Sequence, residues 1–369
     1  MGQAQPLDAD RLLTELVDEA LERRATDIHL TPAGRTVRVG FRVDGLVHPE
    51  QTAIGLEEYE LLVGRIKVLA DLNIAERRRP QAGAFVSPSE AAPVEIRVSF
   101  LPTVDGESTA LRLLTTRHAS LPLSELGLPG ALRERVSLLA ARPSGLLLVV
   151  GPTGSGKTTT LYALAEETTR RIRRILSVEE PVERRLSGVT QVEVSRAEGI
   201  DFAEALRAVL RHDPDVIVVG EVRDLETAQV ALAASLSGHL VLASMHADGP
   251  LSAVERLVQL GIDRQRLGSV LIGVLAQRLV RVACTGCAGA HCTRCRGTGF
   301  AGRTGLFDLR ENEPTAARSL VERSGPSCVA DDVRALVRHG LARVSAAQTT
   351  REEVARVLPL DVVIAEERS

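Results

Sequence analysis

Three groups of residues in this 369-residue chain have types and spacings suited to chemistry. The first is Gly151-Pro152-Thr153-Gly154-Ser155-Gly156-Lys157-Thr158, followed by Thr159, which fits the phosphate-loop pattern G-x-x-x-x-G-K-[ST]. The glycines let backbone N–H groups converge on phosphate oxygens, and a helix N-terminus adds partial positive charge. Lys157 is expected to reach the β- and γ-phosphates and Thr158 to hold magnesium, which makes ATP with magnesium the expected ligand. The second group follows apolar strands: Glu179 and Glu180 after Ile175–Val178, Glu221 after Val216–Val219, and His246 after Leu240–Ala243. Water attack needs a general base, and Glu179 and Glu221 are the candidates. The third group is Cys284-x-x-Cys287-x₄-Cys292-x-x-Cys295, four thiolates spaced for tetrahedral zinc. His291 is an alternative ligand, and Cys328 is expected to be a small core residue with no role.

The elements around these groups follow from periodicity. Residues 1–24 read as an amphipathic helix through Leu12, Leu13, Leu16, Val17, Ala20 and Leu21. Thr36–Val43 alternates like a strand, and Asp44-Gly45 signals a hairpin. A helix near 56–72 and strands at Val94–Ser99 and Thr109–Leu114 complete an α+β module. Pro122, Gly127, Pro129 and Gly130 mark a linker. From residue 131 helices alternate with wholly apolar strands, the pattern of a parallel sheet covered on both faces. In such sheets ligands bind beyond the carboxyl ends of the strands, the edge shared by the phosphate loop, Glu179, Glu221 and His246. Asp213 and Asp215 precede their strand and suit turn or capping roles. Asp201 with Glu204, and Thr350 with Glu353, read as capping boxes. Gly220 stands where a magnesium-orienting aspartate often ends such a strand, so metal binding leans on Thr158, water and Glu179. Past the cysteines the chain is expected to be mostly helical.

Composition narrows the class. The chain is 44% hydrophobic and 25% charged with net charge −3, an ordinary globular balance without a basic field for nucleic acid. Aromatic residues are 2%, too few for a base-stacking track, so no nucleic-acid partner is expected. No apolar run approaches the roughly 18 residues of a membrane span, and no secretory signal is evident, which points to a cytoplasmic protein. Arg77–Arg79 and Arg170–Arg174 read as solvated faces. Lysine occurs only at Lys67 and Lys157 against a background of arginine, which marks both as positions arginine does not fill.

The motifs together resemble the secretion-superfamily ATPases of type II secretion and type IV pilus systems. Ile175–Glu183 is similar to that family's Asp box, Leu210–Asp224 to its Walker B segment, and Ser237–His246 to its His box. Ala25–Leu30, Arg65–Ala70 and Ile96–Thr103 resemble its N-terminal module, and Ala276–Arg281 and Gly302–Gly305 match downstream. The likeness covers roughly residues 20–358. It implies a homohexameric, RecA-like α/β phosphate-loop core that couples ATP hydrolysis to pseudopilin or pilin filament assembly at the inner membrane. Glu179 and Glu221 would position the water and metal, and His246 would contact the γ-phosphate. Arg97 and Arg112 would reach the nucleotide, often across a subunit boundary. The expected domains are an N-terminal α+β (PAS-like) domain over 1–117, a linker over 118–130, an ATPase core over 131–283, a zinc knuckle over 284–299 and a helical region over 300–369. Expected partners are an inner-membrane platform protein and a cytoplasmic adaptor, with the protein peripheral to that membrane. Zinc sites of this kind accompany secretion and pilus extension rather than retraction. Three departures stand out: Glu-Glu-Pro for the usual Glu-Asp-Pro, Ala247-Asp248 for Thr-Asn, and no extra N-terminal docking domain ahead of the α+β module. The rival readings are a nucleotide-gated scaffold with little turnover and a RecA-like nucleic-acid translocase.

Overall fold

The computed structural model describes residues 8–49, 54–87, 93–114, 121–171, 173–194, 201–287, 292–312, 320–324 and 329–367. The chain divides into two compact units, Met1–Ala119 and Ser120–Ser369.

The first unit opens with α1 (Ala9–Glu22), capped by Asp8, whose carboxylate accepts from the N–H groups of Asp10 and Arg11. There follow β1 (Ala25–Ala33), β2 (Thr36–Val43), β3 (Leu46–Pro49), β4 (Ile54–Gly55), α2 (Leu56–Leu69), β5 (Gln81–Ser87), β6 (Val94–Thr103) and β7 (Gly106–Leu114). The strands make one antiparallel sheet in the order β3-β2-β1-β7-β6-β5, with β4 beside β2. Asp44 and Gly45, at φ of 50° and 88°, form the expected tight turn between β2 and β3. Alternation buries Ile28, Leu30, Ile96, Val98, Phe100 and Leu111 against Leu13, Leu16, Val17, Leu62 and Ile66 of the two helices. Lys67 is fully buried in this core; its ammonium donates to Glu107 at 2.7 Å and to the Glu76 carbonyl at 2.8 Å. A compact point charge meets both acceptors where a planar guanidinium would need a wider site.

The second unit contains α3 (Gly130–Ala140), β8 (Gly145–Val150), α4 (Lys157–Thr169), β9 (Ile175–Glu179), β10 (Val189–Glu193), α5 (Phe202–Leu210), β11 (Val216–Val219), α6 (Leu225–Leu236) and β12 (Leu240–Met245). It continues with α7 (Pro250–Gln259), α8 (Arg264–Val270), β13 (Leu271–Ala283), β14 (Phe300–Glu311), α9 (Leu320–Arg323), α10 (Val329–Ser345), α11 (Arg351–Val357) and α12 (Leu360–Glu367). Its sheet runs β10-β9-β11-β12-β8-β13-β14, parallel throughout except for the β13–β14 pair. Successive residues of β8 enter opposite cores. Leu146, Leu148 and Val150 pack with α5, α6 and α7, while Leu147 and Val149 pack with α3 and α4. Burial on both faces explains why this strand reads as an unbroken apolar run.

Residues 300–311, expected to begin a helical region, instead form β14. This segment pairs with β13 from Gly273↔Glu311 to Ala283↔Phe300, and Leu306, Phe307 and Leu309 are buried. The cysteine cluster is therefore the tip of a hairpin on the core sheet, and helix resumes only at α9 and α10. Both expected capping residues do cap: Asp201 accepts from Ala203 N–H, and Thr350 accepts from Glu353 N–H. The Glu353 carboxylate, however, is taken up by Arg281 and Arg356 instead of closing a box. Asp213 takes a turn conformation at φ 52°, and the Asp215 carboxylate accepts from Arg174 N–H at 2.6 Å. Cys328 and His291 lie outside the described residues.

Candidate functional site

The loop between β8 and α4 turns on three glycines at positive φ: Gly151 at 157°, Gly154 at 75° and Gly156 at 91°. Side chains are excluded at two of them. A Cβ at 151 would lie 2.5 Å from the Gln277 carbonyl oxygen, and one at 156 would lie 2.7 Å from Gln277 Nε2. Gln277, on β13, is buried and accepts from Thr160 Oγ1 at 2.7 Å, so β13 supports the loop from behind. Lys157 opens α4, and its ammonium donates to the carbonyls of Gly151 at 2.9 Å and Pro152 at 3.0 Å. Burial lowers its pKa, and Glu221 opposes that shift. Thr158 Oγ1 faces Glu183 at 3.4 Å. Pro152, Thr153, Gly154 and Thr159 are exposed, and Ser155 is buried.

The sheet order places the ends of β9, β11, β12 and β8 side by side. Around them lies a cleft of about 230 Å³ whose lining includes Lys157, Thr158, Glu179, Glu180, Glu221 and His246. His246 Nε2 is 2.9 Å from Glu221 Oε1. At that distance Nε2 carries the proton and donates to the carboxylate. Burial first, and then Lys157, lower the His246 pKa, which keeps the ring neutral near pH 7. The other Glu221 oxygen receives Arg223 Nε, whose guanidinium also reaches Glu180 at 2.8 Å. Arg223 thus ties the carboxylate after β11 to the one after β9.

Glu179 is placed differently. It is 3% exposed, and both of its oxygens are engaged. Ser177 Oγ donates at 2.6 Å and Gln191 Nε2 at 3.1 Å to one oxygen, while the Tyr162 hydroxyl donates to the other. Tyr162 also accepts from Glu183 N–H at 3.2 Å, and burial raises its pKa. Gly220 reflects the same crowding. A Cβ there would lie 3.1 Å from the Val178 carbonyl oxygen and 3.2 Å from Glu179 Cα. A side chain at that position would press on β9, whose backbone would have to give by a few tenths of an ångström.

Arg97 and Arg112 belong to the first unit, where they are cross-strand partners on β6 and β7. The register continues from Arg112 to Asp27 on β1 and from Asp27 to Arg42 on β2. Arg112 Nε donates to Asp27 Oδ1 at 2.9 Å, and Arg112 remains two-thirds exposed. Arg97 is half-buried among Ile96 and Val98, which point into the core from the opposite face.

At the hairpin tip the Sγ atoms of Cys284, Cys287, Cys292 and Cys295 all lie within 4.8 Å of one another. The pairs 284–292, 287–295 and 292–295 are separated by 3.8, 3.7 and 3.9 Å. A tetrahedral site with bonds of about 2.3 Å has sulfur–sulfur edges of about 3.8 Å, so the cluster fits one metal ion. The backbone N–H groups of Cys292 and Gly299 donate to Cys295 Sγ at 3.2 and 3.3 Å, holding that thiol down to about 6. Arg296, Gly297 and Gly299, at φ of 49°, 78° and 75°, fold the chain around the sulfurs.

The sequence motifs missed Arg223, Tyr162, Gln191 and Gln277. Arg223 and Gln277 lay inside segments already singled out, but nothing in their spacing showed what they would touch.

A mostly parallel sheet with a glycine-rich loop and acid–base groups on one carboxyl edge defines an α/β nucleotide-hydrolysing enzyme. Comparison makes this specific. The chain belongs to the type II/IV secretion system protein family, whose sequence pattern matches residues 3–356, and it is an ATPase. It is 39% identical to type II secretion system protein E of Aeromonas hydrophila, covering 95% of this chain and 77% of that one. Identity to type II secretion system ATPase E of Vibrio cholerae is 38%, over 94% and 75% of the two chains. The fold is that of the Legionella pneumophila ATPase DotB, with TM-score 0.69, 20% identity and coverage of 97% and 98%. The pilus retraction motor PilT with bound ADP superposes at TM-score 0.60, with 25% identity and 96% of each chain covered. Among the described residues no helix is long and apolar enough to cross a membrane.

Proposed function

We propose that this chain is the motor of a type II secretion or pilus-extension system, hydrolysing ATP as a homohexameric ring on a RecA-like core. The observation that carries the site assignment is the 2.9 Å pair of His246 and Glu221 at the sheet edge that also bears Lys157. In this reading the loop N–H groups from Gly151 to Thr159 and the Lys157 ammonium hold the phosphates of ATP. Thr158 would hold magnesium, which when bound would offset the negative charge of the phosphates. Glu221 takes the proton of the attacking water, and His246 donates toward the γ-phosphate. Arg223 orients Glu221 by donating to its second oxygen. Glu179, with donors already on both of its oxygens, acts by holding the Asp box in shape. Arg97 and Arg112 supply positive charge to a nucleotide at a subunit boundary, with Arg112 oriented by Asp27.

Zinc fills the four-cysteine tip, given its four thiolates and tetrahedral spacing. The parts are an N-terminal α+β (PAS-like) unit and an ATPase core that carries the zinc knuckle at the tip of its β13–β14 hairpin. The partners are an inner-membrane platform protein and a cytoplasmic adaptor, with the ring on the cytoplasmic face of that membrane and no nucleic acid involved.

The test is magnesium-dependent phosphate release by the full chain and by Glu221→Gln. A motor loses about 10²–10⁴-fold in kcat and keeps its affinity for ATP, because general-base catalysis is worth that order. A wild-type chain with negligible release that Glu221→Gln leaves unchanged would instead mean a nucleotide-gated scaffold.

A further inference from the structure

The loop that carries His246 is held from outside the cleft. α7 begins four residues after His246, and its N-cap is Gly249, which has no side chain to satisfy the first N–H groups of the helix. Those groups are met by Asp332, on α10. Its Oδ1 accepts from Leu251 N–H at 2.6 Å, and its Oδ2 accepts from Ser252 N–H at 2.8 Å. Asp332 is 1% exposed. It also fills the space that a local cap would need: a Cβ at 249 would lie 2.5 Å from both Asp332 Cγ and the Asp332 carbonyl oxygen. From the other side Arg278, buried on β13, donates to the Asp248 carbonyl at 2.9 Å. Ala247–Gly249 is thus clamped between a strand of the sheet and a helix some eighty residues further along the chain.

We propose that Asp332 is a positioning residue for ATP hydrolysis. By capping α7 from α10 it fixes the 247–249 loop, and through that loop the place of His246 against Glu221. The C-terminal helices thereby become part of the hydrolytic apparatus. A movement of α10 that withdraws the carboxylate uncaps α7 and shifts His246, which gives the site a handle far from the nucleotide. The inference rests on the reading of His246 and Glu221 given above.

The experiment measures kcat, KM for magnesium–ATP and Tm for the full chain carrying Asp332→Ala, Asp332→Asn, Val333→Ala or His246→Ala. A displacement near 1 Å at a reacting group can cost up to about 10²-fold, so Asp332→Ala should lower kcat about tenfold with KM within about twofold. Asp332→Asn keeps one acceptor and should recover part of the rate. Val333, buried beside Asp332 on α10, is the control. Val333→Ala should lower Tm while leaving kcat per folded chain nearly unchanged. An Asp332→Ala protein at the wild-type rate, or a Val333→Ala protein with an equal loss of kcat, overturns the proposal. If His246→Ala is slow while Asp332→Ala is not, only this inference fails. If His246→Ala turns over at the wild-type rate, the reading of the site fails and takes the inference with it.

Discussion

Two glutamates that look alike in sequence occupy opposite environments. Glu179 is wrapped by Ser177, Gln191 and Tyr162, whereas Glu221 is shared by a neutral histidine and an arginine in the lining of the cleft. A buried carboxylate with three donors already on it is a poor proton acceptor; one lining the cleft beside a histidine is better placed for the task. Tyr162→Phe leaves a buried Glu179 oxygen without its donor, a loss of about 1–3 kcal/mol. We expect a lower Tm by calorimetry with ATP affinity retained, since the phosphate loop is untouched. Lys157→Ala should abolish nucleotide binding measured by fluorescence titration, because its ammonium is the cation placed at the loop. Arg223→Ala should lower kcat without comparable loss of binding, because it frees Glu180 and Glu221 from their common tether.

The elements are joined by polar contacts that titrate. His339 on α10 accepts from Phe307 N–H of β14 at 3.1 Å. Burial first, and then Arg343, lower its pKa from 6.5 to about 4. Between those values the unfolded chain binds more protons than the folded one. This contribution to stability is therefore complete above pH 6.5 and is lost as the pH falls toward 4. Thermal melts should show Tm declining over that window, and His339→Gln should flatten the decline. Glu353 on α11 behaves similarly at lower pH. Burial alone would raise its pKa, but hydrogen bonds from Arg281 and Arg356 outweigh burial and hold it at about 2 against an ordinary 4.5. Its stabilisation is present above pH 4.5 and disappears as the pH falls from there toward 2. Both residues lock C-terminal helices onto the β13–β14 hairpin, so acid should loosen that part first. Hydrogen exchange of β14 amides at pH 5 would report it.

At the scale of the whole molecule the hairpin links two parts of the proposal. β13 supports the phosphate loop through Gln277 and clamps the His246 loop through Arg278, and its far end carries the cysteines. If zinc fills that tip, elemental analysis should return one zinc per chain. Removal by a chelator should lower Tm, since binding energy at a structural site is folding energy. Folded protein purified without metal would exclude it. Activity per chain should rise with protein concentration if Arg97 or Arg112 completes a neighbour's site. A rate independent of concentration, with a monomer at the lowest concentration measured, would assign the whole reaction to one chain.

Much of this protein was legible locally. The glycine-rich loop, the apolar strands and the carboxylates and histidine after them are short-range patterns. Their spacing alone placed them on one edge of a parallel sheet, because every parallel strand presents its carboxyl end to the same side. The two cysteine pairs likewise declared a tetrahedral cluster, and the motifs together declared the family. Tertiary structure decided the rest. Residues 300–311 lacked a plain alternating pattern, and only pairing with β13 made them a strand. Which glutamate is sealed and which is available depended on Tyr162 and Gln191, residues with no motif of their own. The cap of α7 comes from Asp332, some eighty residues away. Periodicity and capping rules read neighbours along the chain, whereas these choices are made by side chains that meet only after the sheet, its helices and the hairpin have closed on one another.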